Sequence, residues 1–462
     1  MRYVIIGGGP AATNAMETIR QYDSGDEPIV LISDEPAHSR MAIPYWLIGK
    51  ISQEHCLTQN DATYEKLNVD PRIGTRAQKL DLEQRQVSLE DGSSVPFDRL
   101  FLATGSTPNN PPIEGSDLPG VTTLWSLADV AGALEYTTGI ENPRVLFVGA
   151  GFVGMIVLGA VFHRGWKIIV VEQENRILPR MLDQGASTVA ASWLAKRGVE
   201  VCTSASVQRI EPGAGTEKTV TLSDGSSRTV DLVIMATGVR PNLQLVQETQ
   251  IATDEGILVD HQMQTNIEGI YAGGDVAQGP AMYESEPVIH AIQPTAVDHG
   301  RVAGANMAGE SIEYPGSLGM NVVDVCGLQC ISYGSWLESA DDDVVIDNQR
   351  DHVYRRLIFR GEQLVGALFA GAANEAGMLN DVGMVKGILQ TQIPLGNWKA
   401  HLQANPLDVR RPYIGLSVAQ QLAKTTLLGR PSVARSYRLQ DAQPKSTNTP
   451  AHRTLIDAAQ QK

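Results

Sequence analysis

A chain of 462 residues can hold two or three domains around a large core, and 42% hydrophobic with 19% charged residues is ordinary for a globular enzyme. A net charge of −15 argues against nucleic acid or an anionic membrane as the main partner, because both select a basic surface. Four cysteines make no disulfide framework, no apolar run reaches the ~18 residues of a membrane span, and the chain opens directly on a strand, so a cytoplasmic location is expected.

Residues 2–12 read as strand, tight turn and helix, with the turn spelled Gly7-x-Gly9-x-x-Ala12. Gly7 permits the turn, Gly9 lets the backbone approach a pyrophosphate, and Ala12 lets the helix pack closely on the strand. The next strand, 28–33, ends in Asp34-Glu35, where a ribose hydroxyl needs an acidic acceptor. Residues 36–45 are turn-rich without clear periodicity, which at a cofactor edge points to function, and a mixed helical stretch runs on to about 67. Residues 69–80 and 86–89, with the turn Asp91-Gly92, read as hairpin-like strands. A buried strand at 99–103 ends in Thr104-Gly105-Ser106, and the prolines of 108–112 read as a linker.

A second unit repeats this plan. Strand 145–148 runs into Gly149-x-Gly151-x-x-Gly154, a helix follows to about Arg164, and strand 167–171 ends in Glu172. An acid there accepts the 2′-hydroxyl of NAD and repels the extra phosphate of NADP, a preference moderated by the nearby Gln173, Asn175 and Arg176. Strand 232–235 ends in Ala236-Thr237-Gly238. The chain then returns to the first unit at 269–277, where a strand ending in Gly274-Asp275 can place an acceptor on a ribityl hydroxyl. Pro294-Thr295-Ala296 begins a helical stretch over 297–307. From about 311 the pattern changes to alternating strands at 322–325, 329–333, 353–359 and 363–369 and a helix at 375–390, a separate α+β unit. Beyond 429 the chain reads as a solvated tail.

The ordered set Gly7-x-Gly9-x-x-Ala12, Ala103-Thr104-Gly105, Gly149-x-Gly151-x-x-Gly154, Ala236-Thr237-Gly238 and Gly274-Asp275 resembles the FAD-dependent pyridine nucleotide-disulfide oxidoreductase superfamily over roughly residues 1–370. Ser39-Arg40, Ile43-Pro44-Tyr45 and residues 316–322 look most like the branch of NADH oxidases, coenzyme A disulfide reductases, ferredoxin and rubredoxin reductases and the nitrite reductase flavin domain. The resemblance implies an α/β chain with two Rossmann-like domains and a C-terminal α+β interface domain. FAD is expected on 1–114 with 243–312, NAD(P)H with NADH preferred on 115–242, a homodimer contact on 313–428, and a flexible tail on 429–462.

Carried over by position, Gly7, Gly9, Pro10, Ala11 and Ala12 would meet the FAD pyrophosphate, with Arg40 along it and Asp34 or Glu35 at the ribose. Ala77 would meet adenine through its backbone, and Ala103, Thr104 and Gly105 would border the site. Gly274-Asp275 would take the ribityl chain, and the helix start at Thr295-Ala296 would face the flavin pyrimidine and stabilise the anionic reduced form. Gly149, Gly151, Phe152, Val153, Gly154, Glu172 and Gly238 would hold NAD. The implied activity is oxidoreduction from NAD(P)H through flavin to a ferredoxin- or rubredoxin-like protein or a small acceptor. The alternatives are oxidase activity with dioxygen, and a flavin-binding electron-transfer subunit with little NAD(P)H turnover of its own.

The departures are specific. Met41 stands where the thiol-using members carry a redox cysteine, and no C-x-x-C pair lies near the first helix, so thiol chemistry beside the flavin is not expected. Tyr45 and Ile156 replace a Lys and a Glu frequent in the branch, and Trp125 replaces an Arg. Met41, Tyr45 and Ile156 are the flavin-facing candidates. The paired loss of charge reads either as a remodelled nicotinamide pocket or as Ile156 simply packing its helix on the sheet. Cys326 and Cys330 read as buried residues flanking a strand turn rather than a redox pair, and burial is also expected for Cys56 and Cys202. His290 is a candidate proton donor beside the flavin helix or else a capping or surface residue, and His299 lies on that helix. Trp336 and Trp398 read as core or dimer contacts. No metal-ligand spacing is present.

Overall fold

The computed structural model describes residues 1–339, 343–424 and 427–428; the predicted tail lies outside them. Two five-stranded parallel sheets follow one plan. In the first, strands Ile270–Ala272, Arg99–Leu102, Tyr3–Ile6, Ile29–Ser33 and Val69–Ile73 lie side by side in that order. The second runs Glu200–Cys202, Lys167–Val171, Arg144–Val148, Leu232–Met235 and Val121–Thr122. All neighbours in both sheets are parallel. Their central strands are buried throughout or nearly so, as strands covered on both faces must be.

The chain leaves the first sheet after Leu102, builds the second, and comes back with Ile270–Ala272. The outgoing and returning segments pair as the short antiparallel strands Ser106–Pro108 and Val239–Pro241. The predicted linker is therefore partly strand. The predicted hairpin strand at 69–80 is also corrected. Val69–Ile73 joins the parallel sheet beside Ile29–Ser33, and only Ala77–Asp81 belongs to a three-stranded antiparallel sheet with Gln86–Leu89 and Ser94–Pro96. Asp70, Pro71 and Arg72 hide its place in the buried parallel sheet, and its edge position is what tolerates the proline.

An antiparallel sheet of Met320–Val325, Leu328–Gly334, Gln363–Ala372, Val353–Arg360 and Val344–Asn348 forms the third unit. One set of its side chains, including Val323, Val325, Leu328, Leu368 and Ala370, completes the core of the second parallel sheet. The alternate set, including Ile331, Tyr333, Leu357 and Phe369, packs with the helices Ala376–Thr391 and Asn397–Ala404. The helix Phe152–His163 carries no ionisable side chain before His163 and is buried over most of its length, from Gly154 to Val161 apart from Ile156. A Cβ on Gly159 would lie 3.2 Å from the Asp324 carbonyl oxygen of the strand crossing it.

Helices Pro10–Tyr22 and Gln293–Met307 approach until backbone meets backbone. A Cβ on Gly300 would lie 2.1 Å from the Ala11 oxygen, and one on Gly304 would lie 2.7 Å from the Ala15 oxygen. Gly274 fills the remaining gap, since a Cβ there would touch both Ala11 and Ala296. Beneath it, Phe101 is fully buried with its ring against Gly273. Phe101→Ala is therefore expected to cost about 3–5 kcal/mol of stability, read as a lowered midpoint in thermal or urea unfolding.

Candidate functional site

Each parallel sheet presents a glycine turn at the carboxyl end of its central strand. Gly7 sits at φ +113° and a Cβ there would lie 2.0 Å from the Ala103 carbonyl oxygen; Gly149 sits at φ +101° with the Ala236 oxygen 2.5 Å away. Only glycine fits either place. A Cβ on Gly9 or Gly151, by contrast, would meet nothing within 4 Å, so each turn has an open side where a ligand backbone can come close. The helices that follow, Pro10–Tyr22 and Phe152–His163, start without a side-chain cap, as does Gln293–Met307. A helix start of this kind favours negative charge. Some other helices are capped, with Ser126 closing a capping box and Asp183 accepting from Ala186, while others such as Ala376–Thr391 and Asn397–Ala404 are not.

The sequence repeats A-T-G-x-x-P-N at 103–109 and 236–242, and the two asparagines close the site reciprocally. Asn242 donates to the Thr104 carbonyl at 2.8 Å and its own amide donates to Gly105 at 2.9 Å. The Asn109 amide donates to Gly238 at 2.8 Å while the Thr237 hydroxyl donates to the Asn109 carbonyl. Both asparagines went unremarked in the sequence, although their common spacing was available.

At the first turn, Ser33 and the Glu35 backbone lie against Gly8, which brings the acidic strand end to the glycines. Asp34 is exposed and paired with Arg76 at 2.7 Å, whereas the Glu35 carboxylate faces His38 at 3.7 Å. Ala77 follows Arg76 at the start of its strand. Arg40 and Asp275 meet at 3.8 Å, the Ser106 hydroxyl donates to Asp275 at 2.7 Å, and Arg40 lies over the Trp125 ring at 4.2 Å. Thr295 and Ala296 are buried in the first turn of their helix. Gly274 joins two of these segments to the first helix, since a Cβ there would touch both Ala11 and Ala296.

At the second turn a cleft of about 760 Å³ is lined by Gly149, Gly151, Phe152, Val153, Glu172 and Gly238 among others. Gly154 lies just behind it, packed on Gly149 and Ala236. Glu172 is buried and oriented by two amides, Ala150 donating at 2.7 Å and Glu174 at 2.9 Å. Two of its lone-pair sites remain for hydroxyls. Arg176 spends its guanidinium on the Leu182 and Pro179 carbonyls and on Asn175.

The three flavin-facing candidates separate. Met41 and Tyr45 are exposed, at 48% and 54%, while Ile156 is half-buried and packs, like Trp46 and Ile48, against the second core. Cys326 stands in the two-residue hairpin turn itself rather than beside it, and Cys330 lies in the strand that follows; both are buried, Cys326 with its thiol pushed up to about 12 and Cys330 further still by desolvation. His290 is neither a cap nor a surface residue: it is half-buried, with Nδ1 2.6 Å from the Ser317 hydroxyl. His299 is enclosed beside the Gly273–Gly274 turn, whose Gly274 amide donates to Nδ1 at 3.4 Å, and burial pulls its pKa down to about 3. Trp336 packs on the second core and donates to the Arg180 carbonyl, and Trp398 packs on the third. Among the described residues no cluster of His, Cys, Asp or Glu can hold a metal ion, and no helix is long and apolar enough to cross a membrane.

The family model for pyridine nucleotide-disulphide oxidoreductases matches residues 1–300. The chain belongs to that family. It is an NAD(P)H-dependent flavin oxidoreductase, with FAD and NAD(P)H as the family's cofactors. It is similar to the epsilon subunit of NADH-dependent phenylglyoxylate dehydrogenase from Aromatoleum evansii, 30% identical over 89% of this chain and 96% of that one. It is 35% identical to an NADH oxidase from Methanocaldococcus jannaschii over 68% and 72% of the two chains. An NAD-dependent persulfide reductase from A. fulgidus superposes with a TM-score of 0.78 at 25% identity, over 86% of this chain and 78% of that one.

Two measurements follow from the buried groups. Cys202 is the one partly exposed cysteine, so it reacts with a thiol reagent ahead of the other three, and all four titrate in guanidinium. His299 binds its proton in the unfolded chain near pH 6.5 but in the fold only near 3, so stability falls as pH drops through that window, by up to about 1.4 kcal/mol per pH unit. His299→Gln is expected to flatten the fall of the unfolding midpoint between pH 6.5 and 4.

Proposed function

We propose that the first glycine turn holds FAD and the second holds NADH, and that electrons leave to a redox protein. The observation carrying this reading is the duplicated turn: two glycines locked under a carbonyl, two others facing open space, and an uncapped helix behind each. Gly7, Gly9, Pro10, Ala11 and Ala12 take the pyrophosphate of FAD, with Arg40 supplying positive charge, Glu35 or Asp34 the ribose, and Asp275 the ribityl chain. FAD, when bound, accepts hydride from a nicotinamide and passes electrons on. The protein's part is to orient both nucleotides, to present the Thr295–Ala296 helix start to the flavin pyrimidine, and to leave Met41 and Tyr45 at the exposed edge.

NADH is preferred in this reading because Glu172 is held in place for the ribose hydroxyls while Arg176 is bound to carbonyls of its own loop. Arg180 and Arg240 also line the cleft and serve the nicotinamide nucleotide's pyrophosphate. The acceptor is a protein because Met41 stands where a small disulfide substrate would need a cysteine, and because the relative matched over most of both chains is named as a subunit. A ferredoxin- or rubredoxin-like partner suits a short electron path from the exposed flavin edge. We assign 1–114 with 243–312 to FAD, 115–242 to NADH and 313–428 to a homodimer contact, where Leu379, Leu407 and Ile414 are exposed apolar residues. The enzyme is placed in the cytoplasm.

Anaerobic stopped-flow mixing tests the reading. NADH should bleach the bound flavin faster than NADPH, and Glu172→Ala should raise the NADH concentration for half-maximal rate about ten-fold while narrowing the preference, the loss expected for one charge-assisted pair of hydrogen bonds. Failure of both nucleotides to bleach a flavin that dithionite reduces would overturn it.

A further inference from the structure

Four side chains from four separate segments close into a ring at the edge of the first nucleotide site. Arg40 faces Asp275 at 3.8 Å, Asp275 accepts from the Ser106 hydroxyl at 2.7 Å, and the Ser106 carbonyl accepts from the Trp125 indole at 3.1 Å. Trp125 in turn lies under the Arg40 guanidinium at 4.2 Å. The tryptophan is itself anchored. Its backbone amide donates to Asp129 at 2.9 Å, the same carboxylate that closes the capping box of helix Leu127–Tyr136. It also lines a small apolar pocket with Pro108, Val153, Val157 and Val239, which shares Val153 and Val239 with the larger cleft.

An arginine on an open edge has many rotamers to lose when it grips an anion. Here the aromatic face and Asp275 hold the guanidinium beforehand, near the place that a Cβ on Gly105 would approach at 4.0 Å. We propose that Trp125 is a positioning residue for FAD: it presents Arg40 to the pyrophosphate without contacting the phosphate itself. The proposal rests on the assignment of FAD to the first glycine turn. It also gives the segment leading into the second nucleotide unit a direct hold on the first site.

The test is FAD affinity of deflavinated protein, followed by quenching of flavin fluorescence, with the visible circular dichroism of the bound flavin as a second readout. Trp125→Ala should weaken FAD binding on the order of ten-fold and change the dichroism, and Trp125→Phe should recover most of the affinity because the platform survives. In a double-mutant cycle, Arg40→Ala with Trp125→Ala should lose no more than Arg40→Ala alone. Additive losses, or a Trp125→Ala protein with wild-type affinity and dichroism, would overturn the proposal. A wild-type protein without FAD affinity would instead overturn the assignment beneath it. Should Trp125→Ala fail to fold, Trp125→Phe with Arg40→Ala decides: the phenylalanine variant must stay within about three-fold of wild type while Arg40→Ala does not.

Discussion

Two carbonyl oxygens, those of Ala103 and Ala236, occupy the space that a side chain at Gly7 or Gly149 would need. This close approach sets the rest of the architecture. It brings the end of one strand to the turn after its neighbour, so that helix starts, strand ends and the A-T-G segments converge at one edge of each sheet. In an open parallel sheet that edge, outside the carboxyl ends of the strands, is where ligands bind. The same economy of volume recurs at Gly274, Gly300 and Gly304, which let two helices meet with their N-terminal ends on one site.

The two nucleotide units are also tied to each other and to the third. Asn109 leaves the first unit and clasps the A-T-G end of the second; Asn242 returns and clasps that of the first. From the C-terminal sheet, Tyr354 and Arg356 both bind Asp183, Trp336 binds the Arg180 carbonyl, and Gln349 binds that of Gly185. Residues 178–181 line the nucleotide cleft, so the third unit holds one wall of a site to which it supplies only Asn321 among the lining residues.

What was legible in the sequence was local. Glycine turns, the acid at a strand end and the A-T-G signatures each need only a few consecutive residues, and in the structure each glycine turn packs against an A-T-G segment while Glu172 accepts from the second turn. What was not legible depends on distant partners. Nothing near Trp125 announces Arg40, and nothing near Asp183 announces Tyr354. Strand Val69–Ile73 was given to the wrong sheet because its residues are polar at a sheet edge, and strand Val344–Asn348, also at an edge, is a short apolar run that drew no notice. Ile156 is half-buried and packs against the second core, so an apolar residue there has a packing role. The hairpin sheet of Val207–Pro212, Lys218–Leu222 and Ser227–Val230 was likewise unanticipated, lying inside a stretch read only for its flanking motifs.

The central claim is that two dinucleotide sites and no protein thiol carry the electrons. Its most direct test is an anaerobic reductive titration of the flavin-loaded protein, counting electrons per flavin. The account predicts full bleaching at two electrons, the capacity of the flavin alone, with no long-wavelength band from a thiolate beside it. Uptake of four electrons would contradict it, because the additional pair would have to reside in a disulfide formed by cysteines that the structure shows free and mostly buried.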